Sequence, residues 1–241
     1  MDSNEKSPYE TIIKPDKSKG RRSMFYYIHI WMLFTIIVCV FTAFVVKIPL
    51  DRNIIILEAF ISAISTTIYY FLDKKIETNI KNNEEIDWKG MAVLRYRGWT
   101  FSTPLMILGF LLFLSSTTKI ALTFSTAFSC ILLDEIMIFI GYLGELDIIN
   151  RNLALITGFI PLILIYGIIF QVFLRNNFII INYVMFLFFI LFWSLYGIGY
   201  VWELGARNYL YNWLDLLSKS GFGFIFAMYF LYKRFFFKIK K

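Results

Sequence analysis

Asp215 and Lys219 stand four residues apart in the segment NWLDLLSKSGFGF, within an apolar and aromatic part of the chain. Residues at this spacing share one face of a helix, so the two charges can meet. One interpretation is an ion pair that only neutralises both side chains inside a helical bundle. The other is chemical, because a buried lysine amine can condense with an aldehyde and the protonated imine then needs a carboxylate beside it. The two residues alone leave both interpretations open.

The elements that position these residues are predicted to be membrane-spanning helices. The chain has 241 residues, of which 59% are hydrophobic and 17% charged, and a soluble domain of this length cannot bury so much apolar surface. A helix needs about 20 apolar residues to cross a bilayer. The sequence therefore predicts an all-α membrane protein with seven spans, at residues 24–47, 53–73, 91–115, 122–144, 151–174, 178–202 and 207–232.

Polar and basic segments flank the predicted spans. Residues 1–23 are expected to form a flexible basic tail, residues 24–232 the seven-helix domain, and residues 233–241 a short basic C-terminal tail. Residues 73–90 are expected to form an exposed loop. Basic clusters beside spans contact anionic lipid headgroups, and no soluble domain remains to bind nucleic acid. We therefore expect an integral, multi-pass protein of the plasma membrane of a host or source cell.

Metal chemistry is not indicated by the sequence. His29 is the only histidine, and Cys39 and Cys130 both fall inside apolar runs. Such cysteines are typical of small buried side chains, and the chain has no His and Cys cluster of the kind that binds zinc, haem or an iron–sulfur group. We therefore expect neither a metal centre nor an enzymatic activity.

Ionisable residues inside predicted spans are candidates for function, because a charge in the bilayer interior is costly. Besides Asp215 and Lys219, the predicted spans contain Glu58, Arg95, Arg97, Asp134 and Glu135. Glu145 and Glu203 lie near span ends, where we expect water to reach them.

Four segments resemble the microbial (type-1) rhodopsins, the seven-helix retinal proteins. LDLLSKSGFG in span seven is similar to the family's retinal-attachment helix, and RYRGWTFSTPL in span three to its Arg-Tyr-x-x-Trp-x-x-Thr-Thr-Pro helix. DEIMIFIGYLG in span four and WSLYGIGY in span six are similar to its pocket helices. The four segments occur in the family's order on the matching spans, so the resemblance covers nearly the whole chain after residue 23.

The resemblance implies how the charged residues act. Lys219 would bind all-trans retinal covalently as a Schiff base, and Asp215 would be its counterion. Tyr196 and Tyr69 would donate hydrogen bonds to that carboxylate. Arg95 would lie on the extracellular side of the Schiff base, with the N-terminus outside the cell. The positive-inside rule mildly favours the opposite orientation.

The resemblance also implies the walls of a retinal pocket. Trp99 and Trp193 would enclose the polyene, and Thr103 would form a hydrogen bond with Asp134 between spans three and four. The other implied pocket residues are Met137, Gly141, Tyr200 and Ser218.

Two departures from the family pattern bear on function. Gly98 precedes Trp99, where the family's proton pumps carry the aspartate that accepts the Schiff-base proton, and Gly109 stands where many keep a second carboxylate. The chain is therefore predicted not to be a standard outward proton pump. Gly98 is expected to open a space beside the Schiff base in which Ser102, Thr103 and Arg95 could hold an anion.

Other residues point to different ions. Arg97 would add positive charge to an anion pathway, or else it would reach the membrane surface from a helix end. Glu58 on span two could instead favour cations or act as a protonated gate.

The resulting functional hypothesis is a light-gated ion channel that conducts anions, with chloride favoured, and that assembles as a homo-oligomer. Retinal isomerisation from the all-trans to the 13-cis form would open a water path between spans one, two, three and seven. The alternatives are an inward chloride pump, a photosensor without transport, and a seven-helix protein in which Asp215 and Lys219 are purely structural.

Overall fold

The computed structural model describes residues 24–236, and within that range seven helices are long and apolar enough to cross a membrane. They are α1 (Met24–Val45), α2 (Pro49–Lys81), α3 (Trp88–Thr118), α4 (Phe124–Glu145), α5 (Arg151–Leu174), α6 (Ile180–Gly199) and α7 (Leu204–Phe236). The predicted all-α, seven-helix architecture is confirmed. The predicted tails at residues 1–23 and 237–241 lie outside the described residues.

The helices form a closed ring. Consecutive helices pack against each other, and α7 returns to contact α1, α2 and α3. We call the end of the bundle that carries Met24 the N-terminal face, and the end that carries Phe236 the C-terminal face. Large apolar side chains such as Phe44 and Phe124 are exposed on the outside of the ring, as expected for helices in contact with lipid.

Local sequence signals set the helix starts. Pro49 occupies the first turn of α2, where its missing N–H costs nothing. The side chains of Asp87, Thr123 and Asn150 cap α3, α4 and α5 by accepting backbone N–H groups of the first turn. The Lys75 ammonium, 2.8 Å away, and the backbone N–H of Gly90 hold the pKa of Asp87 below its usual range.

The prediction of an exposed loop over residues 73–90 is wrong. The backbone stays helical to Lys81, and α3 begins at Trp88, so residues 82–87 alone connect the helices. Leu72 and Ile76 remain buried four residues apart, which continues the apolar stripe of α2 beyond the predicted span. Glu77 pairs with lysines three residues before it and four after it, and such pairs support an exposed helix. The final helix likewise extends to Phe236, beyond the predicted end at residue 232.

A three-helix contact closes the C-terminal face. The buried carboxylate of Asp51, in the first turn of α2, accepts hydrogen bonds from Ser116 Oγ of α3 at 2.7 Å and from Lys233 Nζ of α7 at 2.6 Å. Asp51 is 1% exposed, whereas the Lys233 side chain keeps 25% of its surface in contact with the surroundings. This contact ties the ends of three helices together.

Replacement of Lys233 by methionine should therefore destabilise the bundle, because it leaves a buried carboxylate without its cation. We expect the unfolding temperature of the purified protein in detergent to fall by about 3–8 °C. Lys74→Met, which breaks an exposed pair, should leave it unchanged. The double variant Asp51→Asn, Lys233→Met should be more stable than Lys233→Met alone. Equal stability of Lys233→Met and the wild type would contradict this role.

Candidate functional site

Lys219 lies in the middle of α7, inside a π-helical stretch at Leu216–Gly221. Its Nζ is 2.7 Å from Asp215 Oδ1, and both side chains are buried. The predicted contact between the two residues is present. Short π-helical segments are frequent at functional sites, because the wider turn changes the direction of the side chains that it carries.

The Asp215 carboxylate is surrounded by further donors. Its Oδ1 accepts hydrogen bonds from Tyr196 OH at 2.8 Å and from Trp99 Nε1 at 3.2 Å. Its Oδ2 accepts from Tyr69 OH at 2.9 Å and from Arg95 Nη1 at 2.8 Å. With the lysine, five donors from four helices converge on one carboxylate. Such saturation with donors fixes the position of the carboxylate.

Two asparagines that sequence reasoning missed hold Arg95 in place. Its Nε donates to Asn208 Oδ1 at 3.1 Å and its Nη2 to Asn208 O at 3.3 Å, while Nη2 also donates to Asn212 Oδ1. The signal was present in the sequence, because Asn208, Asn212, Asp215 and Lys219 recur at helical spacing on one face of α7.

One prediction about the surroundings of this cluster is wrong, and one of the two alternatives for Arg97 is excluded. A Cβ atom at Gly98 would lie 2.6 Å from Ile68 Cγ1, so a side chain from α2 already fills the space that was expected to hold an anion. Arg97 is exposed on the outer surface of α3, and therefore does not line a pathway inside the bundle. Ser102, another member of the expected anion site, is buried, and its Oγ has no hydrogen-bond partner among residues 24–236.

A cavity with seven aromatic side chains among its nineteen lining residues extends from Lys219 toward α4 and α5. The predicted pocket residues that line it are Trp99, Thr103, Met137, Gly141, Trp193, Tyr196, Tyr200, Ser218 and Lys219. Sequence reasoning missed other lining residues, including Tyr96, Tyr211, Ala154 and Phe159. Gly158 of α5 also lines it, whereas Pro161 of the same helix does not.

The expected hydrogen bond between α3 and α4 is present, with Thr103 Oγ1 donating to Asp134 Oδ2 at 2.6 Å. Asp134 is fully buried behind the cavity wall, whereas Glu135 is partly exposed. Of the adjacent acidic residues Asp134 and Glu135, Asp134 is therefore the one that faces the cavity.

A polar stripe of buried side chains runs along α2 from this cluster toward the C-terminal face. Glu58, Ser62, Ser65 and Tyr69 recur at spacings of four, three and four residues. Within the part of the chain that the structure describes, the hydroxyls of Ser62 and Ser65 have no hydrogen-bond partner. Together with Asp51, the stripe covers about 27 Å of helix at roughly 1.5 Å per residue.

The Glu58 carboxylate packs beside two glycines. A Cβ atom at Gly109 would be 3.3 Å from Glu58 Oε1, and one at Gly223 would be 3.6 Å from Glu58 Oε2. The carboxylate of Glu58 on α2 thus lies beside Gly109, the α3 position where many proton pumps of the family keep a second carboxylate.

A second buried ion pair lies near the N-terminal face. Glu145 Oε1 is 2.7 Å from Arg207 Nη2, and both side chains are at most 1% exposed. The expectation that water reaches Glu145 is wrong, because Arg207 of α7 covers it, whereas Glu203 is exposed as expected.

Comparison with known proteins relates this arrangement to a family. A family model described as bacteriorhodopsin-like protein matches residues 19–232. No curated protein sequence matches the chain.

Solved structures of microbial rhodopsins share the fold. The viral rhodopsin OLPVRII is 25% identical, with a TM-score of 0.79 over 86% of this chain and 96% of its own. Xanthorhodopsin, described as a light-driven ion pump with dual chromophore, is 19% identical, with a TM-score of 0.70 over 88% of this chain and 92% of its own. The bromide-bound halorhodopsin from Halobacterium salinarum is 15% identical, with a TM-score of 0.65 over 86% and 91%.

The family match spans most of the chain, and the seven-helix ring, the buried lysine and the aromatic cavity are in accord with it. The chain belongs to the bacteriorhodopsin-like family of microbial rhodopsins, which are integral membrane proteins with a retinal chromophore.

Proposed function

We propose that this protein is a photoreceptor that binds all-trans retinal covalently at Lys219, uses Asp215 as the counterion and conducts ions in response to light. The observation that carries this proposal is the contact of 2.7 Å between Lys219 Nζ and the Asp215 carboxylate at one end of an aromatic cavity. When bound, retinal supplies the absorption of light and the isomerisation that displaces the lysine nitrogen.

The residues present fit such a chromophore. A primary amine stands at one end of the cavity, and Trp99 and Trp193 contribute flat faces that suit a conjugated chain. The small residues Ala154 and Gly158 of α5 line the far end and leave room there. Asp215 holds a carboxylate next to the amine, as a buried cation at that nitrogen requires.

The polar stripe of α2 supports an ion path. Displacement of the Lys219 nitrogen alters a network that includes Tyr69, and the stripe continues from Tyr69 through Ser65 and Ser62 to Glu58. Because the stripe contains the carboxylates of Glu58 and Asp51, we propose that the path conducts cations, including protons. Ile68 beside Gly98 removes the main reason to expect an anion. The contact between Asp51 and Lys233 would close this path at the C-terminal face in the dark.

Anion conduction is the second candidate, as a chloride channel or an inward chloride pump. One observation favours it: Arg95 and a protonated group at Lys219 face the single carboxylate of Asp215, which leaves one excess positive charge. Unpartnered hydroxyls at Ser62, Ser65 and Ser102 could donate to an anion. In either case, we propose that the N-terminal face lies outside the cell and that the protein forms a homo-oligomer in the plasma membrane of its host or source cell.

Replacement of Lys219 by arginine should abolish the visible absorption band that forms with added retinal. Arginine keeps the buried ion pair but cannot form the imine, so the fold should survive. Borohydride reduction followed by peptide mass mapping should label Lys219 in the wild type. The exposed Lys47 is the matched control, and Lys47→Arg should form the same visible absorption band as the wild type. A Lys219→Arg protein that still binds retinal covalently would contradict the assignment of Lys219 as the attachment site.

Replacement of Asp215 by asparagine should move the absorption band at neutral pH from the visible to the near ultraviolet. The imine would lose the carboxylate that compensates its proton, so the unprotonated form should dominate. Asp134→Asn, which alters another buried carboxylate, should keep a visible band. A visible band in Asp215→Asn that depends on added chloride would instead assign the counterion role to a bound anion.

Whole-cell photocurrents with added retinal should reverse at a potential that follows the cation or proton gradient and ignores external chloride. Glu58→Gln should reduce the current several-fold, because it removes a carboxylate from the path. The control is Glu135→Gln, at a partly exposed position on α4, which should leave the current unchanged. A reversal potential that follows chloride would favour the second candidate. Absence of current in a coloured, surface-expressed protein would favour a photosensor.

A further inference from the structure

A cluster of three charges lies behind one wall of the cavity, near the N-terminal face. The buried pair between Arg207 and Glu145 is joined by Arg151, whose Nη2 is 4.0 Å from Glu145 Oε1 and whose side chain is 31% exposed. Arg207 Nη1 also donates to the backbone carbonyl of Tyr200 at 2.8 Å. With all three groups ionised, the cluster carries one net positive charge.

Tyr200 separates this cluster from the cavity. The guanidinium carbons of Arg207 and Arg151 lie 5.5 and 5.8 Å from the centre of the Tyr200 ring. Tyr200 itself lines the cavity, and its hydroxyl donates to the backbone carbonyl of Gly141 at 2.9 Å. The charges therefore stand about one aromatic ring away from the cavity, in the low-dielectric interior where electrostatic effects are strong.

The cluster is much closer to the far end of the cavity than to the lysine. Glu145 is one turn beyond Gly141 on α4, a rise of about 6 Å. Arg207, by contrast, precedes Lys219 by twelve residues on α7, a rise of about 18 Å. A chromophore attached at Lys219 would thus have its ring end near the cluster and its nitrogen far from it.

We propose that Glu145, Arg151 and Arg207 set the wavelength that the protein absorbs, through the net positive charge that they place at the ring end of the chromophore. This inference rests on the proposed retinal linkage at Lys219. In a protonated retinal imine, excitation moves positive charge from the nitrogen toward the ring. Positive charge near the ring opposes that movement, raises the excitation energy and shifts the absorption band to shorter wavelength.

The cluster allows a graded test, because substitutions change its net charge in both directions. Arg151→Gln lowers the charge from one to zero, and Glu145→Gln raises it to two. The double variant Glu145→Gln, Arg207→Gln restores a net charge of one and leaves no unpaired buried arginine. Lys81→Gln, which removes an exposed cation of α2 at the same face, is the control.

The absorption maximum should follow the charge of the cluster. Arg151→Gln should absorb at longer wavelength and Glu145→Gln at shorter wavelength, each by on the order of 5 nm or more for a unit charge at about 8–12 Å and an effective dielectric constant of about 20. The double variant and Lys81→Gln should absorb near the wild type. Unfolding temperatures of the retinal-free proteins should show Arg151→Gln and the double variant folded, even if Glu145→Gln is unstable because Arg207 loses its partner.

Absorption maxima that shift in the same direction in Arg151→Gln and Glu145→Gln would overturn the proposal. Absorption maxima that equal the wild-type value in Arg151→Gln and in folded Glu145→Gln would also overturn it. If Glu145→Gln does not fold, the absorption maximum of Arg151→Gln is compared with that of the double variant. The proposal requires the maximum of Arg151→Gln to lie at the longer wavelength. A wild-type protein that remains colourless with retinal would instead refute the linkage at Lys219.

Discussion

Donors from α2, α3, α6 and α7 converge on the buried carboxylate of Asp215. A buried charge is tolerated only when such partners surround it, and the loss of one partner of a buried ion pair commonly costs several kcal/mol. The ring of helices is therefore held together at its centre by an electrostatic contact as well as by apolar packing. The same contact gives Lys219 its place in the cavity. The stability of the fold and the geometry of the proposed chromophore linkage thus depend on one carboxylate.

Helix α2 takes over space at two α3 positions that lack carboxylates. Ile68 packs where a side chain at Gly98 would lie, and Glu58 reaches the space beside Gly109. The α2 residue beside Gly98 is apolar and the one beside Gly109 is acidic, so the two halves of the interior differ in polarity. The half toward the N-terminal face is closed by Arg95 and its asparagine partners, whereas the half toward the C-terminal face has a polar stripe on α2 as far as Glu58. This asymmetry is the structural basis for the proposed ion path along α2.

Much of this arrangement could be predicted from the sequence, because helical spacing and motif order decide which side chains share a face. Lys219, Asp215 and the pair of Thr103 and Asp134 lie where the sequence predicts. What could not be predicted are partners supplied by distant helices. The burial of Glu145 depends on Arg207, and the filling of the space at Gly98 depends on a neighbour in α2. The helical continuation of residues 73–81 was missed because their charges masked a buried apolar stripe.

The close packing at Gly98 couples two positions on neighbouring helices. Because Ile68 is β-branched, its Cγ1 is held by a stiff side-chain torsion and cannot easily move away from α3. An aspartate introduced at position 98 alone would collide with it, so a carboxylate there requires a smaller residue at position 68 first or at the same time. The residue tolerated at position 98 is therefore set by the residue at position 68, although the two are thirty positions apart in the sequence.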